Sequence, residues 1–233
     1  MNKVRADLVP GLKEQVVDAV TTNETLWFRD SSPFDAMRFK VLPEIIDEKA
    51  NSVFPKRIRV WSAACSTGQE SYSLAIAIAE TIPNVEAWDI RVVGTDISPA
   101  AVAKASRGIY SKLEIGRGMD AINLQKYFVE CERGWQVHDR IRAMCCFSMR
   151  NLHEPFSDMG LFDVIFCRNV AIYFTEDDRR SIFERIVDTL SPHGWIFVGS
   201  SESLIDMGDR WKPQQHCRAN CFRPNQPVKQ LVS

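Results

Sequence analysis

The chain has 233 residues, 45% of them hydrophobic, 25% charged and 10% aromatic, an ordinary composition for one generous globular domain with a small appendage. Its 29 basic and 30 acidic side chains leave a formal net charge of -1, so global charge draws it neither to nucleic acid nor to an anionic membrane. The longest apolar run, residues 74–79, is far too short to cross a bilayer, and residues 1–10 mix charges with isolated apolar side chains rather than forming a secretory signal.

Residues 4–20 read as a short amphipathic helix interrupted by Pro10-Gly11, a linker or remnant rather than a domain. Ser32-Pro33 supplies a helix start, with Ser32 as N-cap and Pro33 at the first helical position. Phe34, Met37, Val41, Leu42, Ile45 and Ile46 follow at helical spacing and make a core-facing stripe. From Arg57 onward strands alternate with helices. Residues 58–63 read as a strand, and after the turn Cys65-Ser66-Thr67-Gly68 a helix runs through residues 72–79. Residues 90–95 are a second strand, followed by a helix that Ser98-Pro99 caps and that ends near Ser106. Two short runs, 135–138 and 140–147, flank one acidic residue, and the period-two alternation of the second predicts a small antiparallel insertion. Residues 162–167 are short and apolar, as a strand buried on both faces of a parallel sheet should be. Thr175-Glu176-Asp177-Asp178 resembles a capping box opening a helix with Ile182, Phe183, Ile186, Val187 and Leu190 inward; residues 191–194 end it and 195–199 form another strand. This alternation predicts an α/β fold with a doubly wound parallel sheet and helices on both faces.

In such a sheet ligands bind beyond the carboxyl ends of the strands. The small residues between Ser62 and Gly68 let the backbone approach a ligand closely, yet the run lacks the three-glycine dinucleotide fingerprint. A nucleoside without pyrophosphate fits better than a nicotinamide or flavin cofactor, and a dehydrogenase is disfavoured. Asp96 ends the second strand, where a carboxylate can accept both ribose hydroxyls. Arg168-Asn169 follows the 162–167 strand and Tyr173 stands shortly after, at the same edge as Gly68 and Asp96. The seven cysteines have no framework spacing and read as reduced thiols. His216, Cys217 and Cys221 lack a second ligand pair, and Cys217 and Cys221 would share one face of a strand, so no metal is expected.

Five ordered motifs then carry a resemblance. They are Thr-Asn-Glu-Thr-Leu-Trp-Phe-Arg at 22–29, Val-Trp-Ser-Ala-Ala-Cys-Ser-Thr-Gly-Gln-Glu-Ser-Tyr-Ser at 60–73, Gly-Thr-Asp-Ile-Ser at 94–98, Asn-Leu at 151–152, and Phe-Cys-Arg-Asn-Val-Ala-Ile-Tyr-Phe at 166–174. From Thr21 to about Phe222 the chain resembles the CheR-type chemoreceptor methyltransferases, which form glutamyl methyl esters on bacterial chemotaxis receptors. The resemblance implies a Rossmann-like class I methyltransferase domain over residues 21–233, with a small antiparallel β-subdomain at about 129–150. It moves the start of the functional unit back from Arg57, where the strand–helix alternation begins. The implied cofactor is S-adenosyl-L-methionine, leaving S-adenosyl-L-homocysteine as product, with no metal. Asn23, Thr25 and Arg29 would close over it; Glu70 and Asp96 would hold its polar groups; Asn151, Leu152, Arg168 and Asn169 would line its adenine and methionine ends; Ala63 joins the binding set. Arg29 and Tyr173 would stand nearest the transferred methyl, as the catalytic pair.

A glutamate nucleophile, with a pKa of about 4.3, is ionised at neutral pH and needs no general base. No histidine lies in a motif. The implied partner is the cytoplasmic domain of methyl-accepting chemotaxis receptors, reached by a cytoplasmic protein without nucleic acid or membrane insertion. Typical members carry a helical, often basic N-terminal domain that contacts the receptor; here residues 1–20 hold three basic side chains, Lys3, Arg5 and Lys13. Some members dock a receptor's C-terminal pentapeptide on the β-subdomain. The loop Cys131-Glu132-Arg133-Gly134 lacks their extra glycine-containing segment, so tethering is expected to be weak or absent. Gln69 and Ser71 replace an acidic residue and a proline common in the family. Rival readings are a class I methyltransferase with another protein or small-molecule substrate, and a non-catalytic cofactor-sensing module.

Overall fold

A computed structural model describes Asp18, residues 24–50 and residues 56–225. The helix expected over 4–20 therefore lies outside the described residues, apart from Asp18, which is helical. Ser31–Ala36 (α1) and Leu42–Ala50 (α2) flank one π-turn, Met37–Val41. Pro43 stands just beyond that turn; having no N–H, it would press its ring on the carbonyl four residues back in a regular helix. The expected stripe faces inward, with Phe34, Met37, Val41, Leu42 and Ile45 buried. The expected cap is corrected. The helix opens at Ser31, Asp30 takes the cap position at φ 54° without a side-chain cap, and its carboxylate is spent elsewhere. Pro33 fits because amides of a first turn need no intrahelical partner.

The chain then alternates through Arg57–Ala63 (β1), Gln69–Thr81 (α3), Asp89–Asp96 (β2) and Pro99–Arg107 (α4). A smaller unit follows: Ile109–Tyr110 (β3), Lys112–Ile115 (α5), Ala121–Tyr127 (α6), Phe128–Cys131 (β4) and Gly134–Val137 (β5). One helical turn, Asp139–Arg142 (α7), leads back to Cys145–Met149 (β6), Phe162–Cys167 (β7), Glu176–Val187 (α8), Leu190–Phe197 (β8), and the hairpin Trp211–His216 (β9) and Ala219–Pro224 (β10).

The main sheet has seven strands in the order β6-β2-β1-β7-β8-β10-β9. The first five are parallel, and β10 runs antiparallel to both β8 and β9. This is the predicted doubly wound α/β sheet. Its faces divide the side chains of β1: Ile58 and Val60 join α1, α2 and α3 in one core cluster, while Trp61 and Ala63 join α8 in the other. Burying side chains of this size contributes about 1.5–3 kcal/mol each, and β1, covered on both sides, is the spine of the domain.

Three local readings change. The small antiparallel sheet exists, in the order β3-β5-β4, but residues 145–149 are not in it. They pair in parallel with β2 at the edge of the main sheet. The alternation over 140–147 mixed a helical turn with a strand, and in a run this short the two periods are hard to separate. Residues 191–194 do not end a helix. They bulge inside β8, where the register steps from Phe162–Leu190 to Val164–Trp195. Thr175 caps α8 as expected, accepting from the Asp178 amide, but the Asp178 carboxylate meets the Thr175 hydroxyl rather than closing a box.

No helix among the described residues is long and apolar enough to cross a membrane. Cys217 and Arg218 both have positive φ in the two-residue β9–β10 turn, as a type I′ hairpin requires. Cys217 therefore does not share a strand face with Cys221. Among the described residues no three His, Cys, Asp or Glu side chains are grouped to hold a metal ion.

Candidate active site

The register fixes where the loops gather. Ala63 pairs with Thr95 on one side and Cys167 on the other, and Asp96 pairs with Met149. The loops leaving β1, β2, β6 and β7 thus emerge at one edge of the sheet, and a cavity of about 270 Å³ opens there.

The β1 loop is shaped by backbone conformation. Ala64, Ser66 and Gly68 have φ of 56°, 51° and 95°. Non-glycine residues enter this region at a cost, which small side chains limit. At Gly68 glycine is required twice over: besides its φ, a Cβ would stand 2.7 Å from the Ala105 Cβ and 3.1 Å from the Tyr110 hydroxyl. The loop is pinned by the Cys65 amide donating to the Thr95 carbonyl at 2.9 Å. The Ser66 hydroxyl is buried in the cavity wall with no hydrogen-bond partner among the described residues.

Asp96 ends β2 and accepts from the Ser66 amide at 2.7 Å and the Ser98 amide at 2.9 Å, one on each oxygen. Helix capping falls to Ser98, whose hydroxyl accepts from Ala101. Burial raises the Asp96 carboxyl above its ordinary value despite these amides. Each oxygen retains a lone pair for a ligand. Glu70, in the first turn of α3, accepts from the Ser62 hydroxyl at 2.8 Å and from Arg168 at 3.0 Å. The Cys65 thiol also faces the cavity, but burial first, then Asp96 and Glu70, push it far above the ordinary range and keep it protonated.

The opposite wall is held by charge. Arg168 follows β7 with its side chain 1% exposed; it donates to Glu70, to the Asp30 carboxylate at 2.8 Å and to the Arg29 carbonyl at 2.8 Å. It therefore ties residues 29–30 to the sheet. That segment is unusual on its own account, since Phe28 and Asp30 both have positive φ. Trp27, fully buried edge-on to Tyr110 and Phe128, anchors it from the other end. Asn169, at φ 57°, and Tyr173, 63% exposed, complete this wall.

Of the sequence-predicted residues, Thr25, Arg29, Glu70, Asp96, Arg168, Asn169 and Tyr173 line one cavity. Asn151 and Leu152 reach the same edge but not its lining: the Asn151 side chain accepts from the His153 amide and Leu152 packs into the α8 core cluster. Ala63 is buried in that same cluster below the cavity. Asn23 lies outside the described residues. Sequence reasoning missed Ser66 and Ile97 as lining residues, although both lie inside quoted motifs, and it missed Asp30 as the partner of Arg168. No described histidine lines the cavity.

Taken together, the wall offers the carboxylates of Glu70 and Asp96, with Glu24 at its edge paired to Arg117, a Ser66 hydroxyl without a partner among the described residues, a guanidinium at Arg29, and apolar surface from Ala64 and Ile97. Such a set suits a ligand carrying a diol, an amino-acid head and a flat apolar ring. Comparisons with known proteins agree. Residues 23–219 match the family model described as CheR methyltransferase, SAM binding domain. The chain is 45% identical over 210 residues to chemotaxis protein methyltransferase 1 of Pseudomonas aeruginosa, covering 88% of this chain and 75% of that one. It is 41% identical over 220 residues to chemotaxis protein methyltransferase Cher2 of Pseudomonas putida, covering 92% and 78%. A third relative, chemotaxis protein methyltransferase 1 of Vibrio cholerae, is 38% identical over 218 residues, covering 88% and 75%.

Proposed function

The chain belongs to the CheR family of S-adenosylmethionine-dependent methyltransferases, and on that premise we propose that it forms methyl esters on glutamates of the cytoplasmic helices of chemotaxis receptors, working in the cytoplasm. The observation that supports this reading is the meeting of Arg29 and Tyr173, far apart in sequence, in the cavity that holds Glu70 and Asp96.

The donor set fits S-adenosylmethionine. Asp96, at the strand end, would accept the ribose hydroxyls, Glu70 would accept from the amino group, and Ile97 and Ala64 would cover the adenine. When bound, the cofactor supplies a methyl on a positively charged sulfur. The protein's own work is to bind, orient and exclude water. A substrate glutamate, ionised near neutral pH, arrives as a competent nucleophile, so a cavity without histidine is no handicap. Among the described residues Arg29 makes one long bond, 3.4 Å to the Glu24 carbonyl, and on this reading its guanidinium aligns an incoming carboxylate. Tyr173, exposed at the rim, stands where the substrate enters and positions it through its hydroxyl.

Only Glu132-Arg133 separates β4 from β5. This short hairpin supports the proposal that the enzyme engages its receptor without tight pentapeptide tethering, and titration calorimetry finding micromolar affinity for such a peptide would overturn it. The central experiment is tritiated-methyl transfer from S-adenosylmethionine to receptor cytoplasmic fragments. Base-labile label on the receptor is expected; label stable to base, or none, would sink the ester assignment. Arg29→Ala should abolish most transfer while leaving the fold intact.

A further inference from the structure

We infer that Glu202, which does not line the candidate active-site cavity, is a positioning residue of this site: its carboxylate fixes the main chain that presents Asn169 and Tyr173. The inference rests on the functional reading above.

Glu202 lies in the loop after β8 and is 8% exposed. One carboxylate oxygen accepts from the Asn169 amide at 2.8 Å and the Gly199 amide at 2.6 Å; the other accepts from the Ala171 amide at 2.9 Å. Three main-chain donors thus converge on one buried carboxylate, and bonds to an ionised acceptor are about twice as strong as neutral ones. Two of these donors belong to the β7 loop. Asn169 holds a left-handed φ of 57°, a conformation that persists in a non-glycine residue only where its surroundings enforce it. Ala171, buried, begins the 3₁₀ turn Ala171–Tyr173, so fixing its amide sets the direction in which the exposed Tyr173 ring leaves the sheet.

Independent observations show the anchor is itself built. A Cβ on Gly199 would lie 2.6 Å from a Glu202 carboxylate oxygen and 2.9 Å from the Asn169 side-chain nitrogen, so the cluster is packed around the absence of a side chain there. From β10, the Asn220 side-chain amide donates to the Glu202 carbonyl at 2.8 Å and the Gly199 carbonyl at 3.1 Å. Asn220 holds the loop, the loop holds Glu202, and Glu202 holds the two residues that face the ligand. No part of Glu202 lines the cofactor cavity, so it acts only through Asn169 and the turn carrying Tyr173.

The test compares the full chain with its Glu202→Gln and Glu202→Asp variants. Glutamine keeps the shape but turns an NH₂ group toward at least one amide donor; aspartate withdraws the carboxylate from all three. Amide hydrogen exchange at Asn169 and Ala171 should accelerate about tenfold or more in Glu202→Gln, with the melting midpoint close to that of the parent chain. Its kcat should fall about tenfold to a hundredfold, and the same substitution in a Tyr173→Phe background should cost much less, because both act through one turn. Unchanged exchange at both amides overturns the inference, as does faster exchange with unaltered kcat and cofactor affinity. Additive losses in the double variant would reduce Glu202 to a structural role and also overturn it. Should Glu202→Gln fail to fold, Glu202→Asp carries the same readouts. A parent chain that methylates no receptor fragment would count against the functional reading alone, while exchange and calorimetric cofactor affinity still judge Glu202.

Discussion

The two loops that face each other across the cavity are held in different ways. The β1 loop is shaped by its main chain: left-handed φ at Ala64, Ser66 and the obligatory Gly68, with the Cys65 and Ser66 amides bonded to the neighbouring strand end. The β7 loop is shaped from afar, by Asp30 lying 138 positions from Arg168, Glu70 lying 98 positions away, and Glu202 lying 33 positions from Asn169. One site thus combines a rigid backbone cradle with a wall set by buried charge. A ligand-holding surface gains from the first kind of order, because main-chain shape is insensitive to salt and to small shifts of side chains. The second kind joins distant segments, including the one carrying Arg29.

The largest effect should come from breaking the charged wall. Replacing Arg168 with methionine leaves Glu70, 13% exposed in its side chain, without its cation, whereas Asp30 at 43% can rehydrate. A stability loss of about 3 kcal/mol is expected in denaturant unfolding, together with loss of transfer. Gly68→Ala attacks the backbone cradle; the forced φ and the 2.7 Å approach to Ala105 should cost about 2 kcal/mol and weaken S-adenosylmethionine binding. A larger loss for Gly68→Ala than for Arg168→Met would invert the comparison.

Asp96 sharpens it through pH. Its carboxyl is raised in the folded protein, by burial above all, with a small further push from Asp18. The folded state consequently binds this proton more tightly than the unfolded chain, and the group's contribution to stability falls as pH rises from the ordinary aspartate value through the raised one. Cofactor affinity should move the other way, weakening as pH drops through the raised value, by up to about tenfold per unit. Calorimetry and melting curves across that window would test the opposition, which Asp96→Asn should abolish. The smallest effect belongs to Thr175→Ala, which removes the cap of α8 just beyond the β7 loop. About 1 kcal/mol of stability should disappear with methyl transfer unchanged, separating damage near that loop from damage to what holds it.

This contrast also explains what could be read from the sequence. Gly68, Asp96 and the Arg168-Asn169 pair were legible because their meaning is local: a small-residue turn, a carboxylate at a strand end, polar residues after a buried apolar strand. The parallel sheet followed from the alternation of strand and helix. Asp30 and Glu202 were not legible, since an acidic residue in a loop looks the same whether it faces water or receives a guanidinium or three amides from elsewhere. Asn151 and Leu152 entered on family resemblance and reach the correct edge, yet their side chains are engaged with His153 and the α8 cluster rather than the cavity. Residues 145–149 were misplaced because a single helical turn and a five-residue strand carry too few residues to establish a period.

The clamp on the β7 loop bears on how the enzyme is born. A ribosome delivers the chain in order, so Arg29, Glu70 and Asp96 emerge well before Arg168, and Arg168 before Glu202 and Asn220. The backbone cradle can take shape once β1 and β2 are outside the exit tunnel. The wall facing it waits for the C-terminal hairpin, because Asn220 on β10 secures the loop that secures Tyr173. If Glu202 acts as proposed, a chain truncated before β10 is expected to be inactive even where its cofactor cradle has formed.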